Sequence, residues 1–128
     1  MKEHEHHSVL QRLSDAWGRR DIETILTCFS PDAEYHASVG PLPGELANGH
    51  DGIRQLVERM FSHDSGAVGC VGRPICAAST AFWKWRYELP DGSTELGCDF
   101  FEFRGGKIAL KDAYRKTRAV TSIMRGRS

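Results

Sequence analysis

No stretch of this chain is apolar for long enough to span a membrane, and no hydrophobic segment near the start can act as a secretion signal. The first seven residues, Met1-Lys-Glu-His-Glu-His-His7, are almost entirely polar. A cytoplasmic protein with no membrane partner is the expectation. Net charge is also lacking: 17 Lys and Arg balance 17 Asp and Glu. No global field therefore draws nucleic acid, and none is expected as a partner. The four cysteines, Cys28, Cys70, Cys76 and Cys98, show no CxxC spacing and read as reduced and buried. No HExxH, P-loop or GxGxxG is present, which removes support for zinc-protease, nucleotide and dinucleotide chemistry. No nucleophile elbow surrounds a Ser or Cys. His4, His6 and His7 lie with Glu3 and Glu5 before the first clear helix, where a dedicated metal site is a poor bet. No metal and no cofactor are expected.

What remains is a chain of 128 residues, 40% hydrophobic and 27% charged, which is enough for one domain with a real core. Residues 1–8 read as a flexible N-terminus, 9–116 as the domain, and 117–128 as a basic tail with Arg118, Arg125 and Arg127. Ser8 and Gln11 sit at capping-box spacing before a helix with Leu10, Leu13 and Trp17 on one stripe. Asp21 caps a second helix with Ile22, Ile25, Leu26 and Phe29 on its face, ended by Ser30-Pro31. Residues 33–39 read as a strand and 40–49 as a loop. Asp51 caps a third helix carrying Ile53, Leu56, Val57, Met60 and Phe61. A weak strand over 70–77 is interrupted by Gly72 and Pro74. Three strong strands follow over 81–89, 94–103 and 107–115. Helices segregated on one side of a mostly antiparallel sheet make an α+β layer fold. Strong twist closes such a sheet into a cone whose mouth is a natural ligand pocket.

Two turns set the strand register. Gly105-Gly106 is a two-residue hairpin signal. It places Arg104 opposite Lys107, Phe103 opposite Ile108, Phe101 opposite Leu110, and Asp99 opposite Asp112. Like charges directly opposed are unfavourable, and buried carboxylates that close tend to share a proton. Leu89-Pro90-Asp91-Gly92-Ser93 fits a type I turn with a left-handed Gly92. Tyr87 then meets Glu95, Trp85 meets Gly97, and Trp83 meets Asp99. A rival register, with Asp91-Gly92 as the turn, sets Lys84 against Asp99 instead. The first register builds an aromatic wall of Trp83, Trp85, Tyr87 and Tyr114 beside the acid pair, suited to a flat apolar ligand or to plain core packing. In the bland alternative the acids pair with Arg86, Arg115 or Lys111 and only hold the sheet.

Residues 21–23 (Asp-Ile-Glu), 29–33 (Phe-Ser-Pro-Asp-Ala), 49–53 (Gly-His-Asp-Gly-Ile), 99–108 (Asp-Phe-Phe-Glu-Phe-Arg-Gly-Gly-Lys-Ile) and 111–114 (Lys-Asp-Ala-Tyr) carry a resemblance. Together with the order of elements they resemble the nuclear transport factor 2-like superfamily, in its SnoaL-like branch of ketosteroid isomerase-like and polyketide cyclase-like proteins. The resemblance implies three N-terminal helices on a strongly curved, cone-shaped sheet, and a homodimer through that sheet. It places the ketosteroid isomerase general base on Ala37 and the oxyanion-hole tyrosine on Leu13, so both groups are missing. Their protonated aspartic acid falls on Asp99. The limonene epoxide hydrolase aspartate falls on Asp112 and its tyrosine on Tyr35; its Arg-x-Asp pair falls near Phe82 and Lys84 and is missing. Neither site is complete.

The expected pocket is lined by Tyr35, Ala37, Trp83, Trp85, Phe101, Leu110 and Tyr114, with Asp99, Asp112 and Tyr35 as its catalytic candidates. Two functions follow. One is a cofactor-independent isomerase, cyclase or hydrolase acting on a small, largely apolar, oxygenated substrate by proton transfer, with one acid as donor and the other as base. The other is a binding or dimerisation module of the same fold without turnover, which the missing base at Ala37 favours.

Overall fold

The computed structural model describes residues 2–63 and 66–116. The expected basic tail, 117–128, lies outside them. The elements run α1 (Lys2–Gly18), α2 (Ile22–Thr27), β1 (Phe29–His36), β2 (Leu46–Asn48), α3 (Gly49–His63), β3 (Val68–Val71), β4 (Ile75–Ala77), β5 (Thr80–Glu88), β6 (Thr94–Arg104) and β7 (Lys107–Arg115). The strands form one curved sheet in the order β2-β1-β7-β6-β5-β3, with β4 also on β5. Every pairing is antiparallel except β1 with β7. The helices pack on its inner face, and the core between them holds Leu10, Leu13, Ile25, Phe29, Ile53, Leu56, Phe101 and Ile108. No described helix is long and apolar enough to cross a membrane.

The segment expected to be a flexible N-terminus is helical, and α1 starts at Lys2 rather than at Ser8. The reason is a stripe that begins earlier than apolar residues alone reveal. His6 sits four residues before Leu10, is buried, and stacks on Phe103 with ring centroids 4.0 Å apart. Residues 30–31 belong to β1 instead of ending α2, whose last residue is Thr27. Part of the Gly-rich loop pairs with β1 as the short β2. The weak strand divides at Gly72–Pro74 into β3 and β4, and both divisions pair with β5. That fits a proline that cannot donate to a ladder.

The two turns behave differently along their strands. Leu89 N–H donates to Ser93 C=O and Gly92 has φ +87°, so the five-residue turn forms as expected. Tyr87 faces Glu95, Trp85 faces Gly97 and Trp83 faces Asp99. Lys84 faces Cys98, which removes the rival register. Gly105 and Gly106 both have positive φ, and the second hairpin starts as expected, with Arg104 on Lys107 and Phe103 on Ile108. The next pair is Glu102 with Leu110, so Ala109 is an extra residue in β7. This β-bulge shifts every later pair by one and turns the following side chains to the other face. Phe101 meets Lys111, Phe100 meets Asp112 and Asp99 meets Ala113. At the bulge, neighbours grip the hairpin from both sides: Phe103 N–H donates to Ser79 C=O, and Ile108 N–H to Cys28 C=O.

Candidate functional site

The bulge corrects the expected acid pair. Asp112 lies on the outer face, where Tyr114 Oη–H donates to its Oδ2 at 2.8 Å. Tyr114 is 57% exposed and does not line the inner cavity; its hydrogen bond to the Asp112 carboxylate raises the phenol's pKa. Leu110 also leaves the inner face, since it pairs with outward-facing Glu102. Phe101 is fully buried behind Trp83, edge-on at 5.2 Å, and Ala37 is buried beside the pocket; neither lines the cavity. Tyr35, Trp83, Trp85 and Asp99 do line it. Lys111 replaces Asp112 among them, joined by Trp17, Met60, Tyr87 and Arg115.

The cavity has a volume of about 70 Å³. Asp99, 4% exposed, is its anchor. Trp83 Nε1–H donates to Asp99 Oδ2 at 2.7 Å, and Trp85 Nε1–H donates to Oδ1 at 3.1 Å. The second bond depends on Gly97. A Cβ there would lie 2.1 Å from Trp85 Cζ2, so only glycine lets the indole lie across the strand. Lys111 Nζ sits 3.4 Å from Asp99 Oδ1 and donates to Tyr35 Oη at 3.1 Å. It also lies 4.3 Å from the centre of the Tyr35 ring and 5.1 Å from that of Trp17. Aromatic faces at these distances attract a desolvated ammonium. Tyr35 Oη–H donates to Met60 Sδ at 3.8 Å, a weak acceptor. Trp17 Nε1–H is held by Tyr87 Oη at 3.0 Å.

Burial alone would drive Lys111 toward its neutral form. The Asp99 carboxylate and the Tyr35 hydroxyl outweigh that and hold the ammonium's pKa above the usual lysine range. Burial pushes the Tyr35 phenol up as well, against the pull of the Lys111 charge. The site therefore keeps a fixed cation and a neutral phenol at neutral pH. At the rim, Arg115 stacks on Trp85 at 4.9 Å, donates from Nε to Ser38 Oγ at 3.3 Å, and pairs with Glu95.

Counting donors and acceptors shows what is left for a ligand. An ammonium has three N–H groups, and Tyr35 and Asp99 take two. A carboxylate offers about four acceptor positions; two indoles fill two, and the Lys111 ammonium pairs with Oδ1 at 3.4 Å. The Tyr35 proton is spent on a weak sulfur acceptor. A Lys111 N–H, the weakly held Tyr35 proton and an Asp99 acceptor position thus remain for a ligand in an aromatic-walled cavity. A ligand oxygen satisfies the donors. A ligand cation finds its place between carboxylate and rings already filled by Lys111. Sequence reasoning named Lys111 only as a possible structural partner of the acids, because strict alternation put it outside the pocket; the pairing with Asp99 is observed, and the unfavourable Asp99–Asp112 opposition was the signal for a one-residue slip.

The SnoaL-like domain family model matches residues 10–111. Among solved structures, an NTF2-like protein of unknown function from Mesorhizobium loti is 19% identical, with a TM-score of 0.79 over 91% of this chain and 95% of that one. A ketosteroid isomerase candidate from Kribbella flavida is 14% identical, with a TM-score of 0.77 over 91% and 82%. A protein of ketosteroid isomerase-like fold from Catenulispora acidiphila, in complex with trimethylamine, is 15% identical, with a TM-score of 0.72 over 83% of each chain. No protein of curated function matches.

Proposed function

The chain belongs to the SnoaL-like domain family, and from that premise we propose that it is a cofactor-independent isomerase, cyclase or hydrolase of a small oxygenated substrate. The carrying observation is the Lys111–Tyr35 pair, two under-used donors converging in a cavity walled by Trp17, Trp83 and Trp85. Donors fixed in a buried site stabilise the negative charge that grows on a carbonyl oxygen as an enolate or alkoxide forms. Asp99 is the one carboxylate among the described residues lining the cavity, and its remaining acceptor position makes it the candidate proton acceptor. It accepts from two indole N–H groups and pairs with the Lys111 ammonium, which suits the base of the two roles left open between the acids.

The test is exchange of the α-protons of 2-butanone for deuterium in heavy water, followed by proton NMR. The proposal expects exchange above the buffer rate that is lost in Lys111→Met and in Asp99→Asn. Binding of the ketone with no exchange in the wild type sinks the catalytic reading. That outcome favours the second reading, a binding module without turnover, which is supported by Ala37 standing where the resemblance to ketosteroid isomerases places a general base.

We also propose the homodimer through the outer sheet face. Leu96, Tyr114, Val68 and Ile75 are exposed there, with no covering layer among the described residues. Acidic Glu34 and Asp112 lie toward one side of that face and basic Lys84 and Lys116 toward the other, which suits a two-fold contact. Sedimentation of Leu96→Asp as a monomer beside a dimeric wild type supports it; a monomeric wild type removes it.

A further inference from the structure

The inner cavity is too small for a whole substrate of ordinary metabolite size. At about 70 Å³ it takes a head group of a few heavy atoms, whereas typical ligand sites measure several hundred Å³. A second cleft of about 660 Å³ adjoins it, between α1 and the edge strand β3. The two share Ser14, Cys70, Val71 and Trp83, so Trp83 borders both spaces. The cleft lies where the sheet edge is interrupted, at Gly72–Pro74 between β3 and β4. Its lining has the chemistry of an anion site. Arg73 is exposed on one wall and has no ion-pair partner among the described residues. His7 and Ser8 stand among the α1 residues of the lining, and no carboxylate lines the space.

We propose that this cleft is the second half of the substrate site and selects an anionic tail: the substrate is an oxygenated molecule with a carboxylate or comparable anion several bonds from its reacting oxygen. This rests on the reading of Lys111 and Tyr35 as the head-group donors. The head oxygen sits at Lys111 and Tyr35, the apolar body crosses Trp83 and Val71, and the anion meets Arg73. An arginine binds a carboxylate in bidentate fashion, which fixes direction as well as affinity. The anchored tail would hold the reacting carbon in place, an effect that depends on geometry more than on contact strength.

The probes are levulinate, its longer methyl-ketone carboxylate homologues, and the methyl esters of each. Binding is followed by the Trp83 indole N–H signal in nitrogen-15 NMR. At the best chain length the acid binds about tenfold or more tighter than its ester, roughly the worth of one charge-assisted contact. Arg73→Gln removes that advantage and leaves the ester unchanged, while Arg104→Gln at the β6–β7 hairpin tip changes neither. Added salt shrinks the advantage in the wild type. Equal affinity of acid and ester, or an advantage that survives Arg73→Gln, overturns the anionic tail. Tyr35→Phe separates the two readings: it weakens acid and ester alike if the head-group assignment holds, and neither if that assignment fails. No binding of any probe up to about 10 mM, a Kd too weak for a built site, overturns both.

Discussion

Substituting Lys111 by methionine tests the ion pair at the centre of the cavity. Both side chains are almost completely buried, 6% and 5% exposed, so solvent screens the pair little. Removing one partner of a buried pair costs ~3–5 kcal/mol, because the other charge is left uncompensated. Two indole N–H groups still hold Asp99, which sets the expectation at the lower end, ~3 kcal/mol. In an Asp99→Asn background the stranded charge is gone. Lys111→Met there loses little beyond its bond to Tyr35, ~1 kcal/mol. The double-mutant cycle should therefore show a coupling of ~2 kcal/mol. Urea denaturation at neutral pH measures it, with m checked for constancy across the four proteins. The single variant should also melt about 10 °C lower. A coupling within ~0.5 kcal/mol of zero would refute the reasoning. It would mean that the two groups do not share an enclosed site.

Three further outcomes follow from the packing. Gly97→Ala places a Cβ 2.1 Å from Trp85 and 2.4 Å from the Tyr114 carbonyl, so it should cost ~2 kcal/mol or more in urea denaturation and displace the Trp85 indole signal; wild-type stability contradicts the arrangement. His6→Phe removes the one buried side-chain polar atom without a partner among the described residues, Nδ1, while keeping a ring against Phe103; stability should hold or rise, and a loss above ~1 kcal/mol would show a hidden partner. Lys111 and Tyr35 both have folded-state pKa values raised above their ordinary ones. Their contribution to stability is complete below the ordinary tyrosine and lysine values, about 10, and is lost as pH rises through the folded ones. Melting temperature against pH should therefore fall in the wild type above about pH 10, and less in the Lys111→Met/Tyr35→Phe double variant; parallel alkaline profiles contradict this.

The sequence made the elements legible where a turn residue or a periodic stripe enforced them. Pro90 and Gly92 left one good geometry for the β5–β6 turn, and the whole Trp83–Asp99 register followed from it. Gly105-Gly106 fixed only the tip of the next hairpin. The bulge at Ala109 carries no glycine or proline to announce it, so the register was legible for two pairs and then slipped. Half of the site moved with that slip: Asp99, Tyr35 and the tryptophans stayed, Asp112 and Tyr114 left, and Lys111 entered. Electrostatics held the missing information, since a one-residue shift replaces two opposed carboxylates by an ion pair with Lys111. The early start of α1 was hidden for a related reason. His6 belongs to the buried stripe but counts as polar in any hydrophobicity pattern.

The most direct test of the account is nitrogen-15 NMR of the lysine ammonium groups at neutral pH. A buried, hydrogen-bonded ammonium exchanges its protons slowly, whereas those on solvated lysines exchange too fast to observe. The account predicts one protected lysine resonance that disappears in Lys111→Met and shifts when 2-butanone is added. No protected resonance, or a protected one that survives Lys111→Met, would contradict the placement of Lys111 in the cavity and the donor pair built on it.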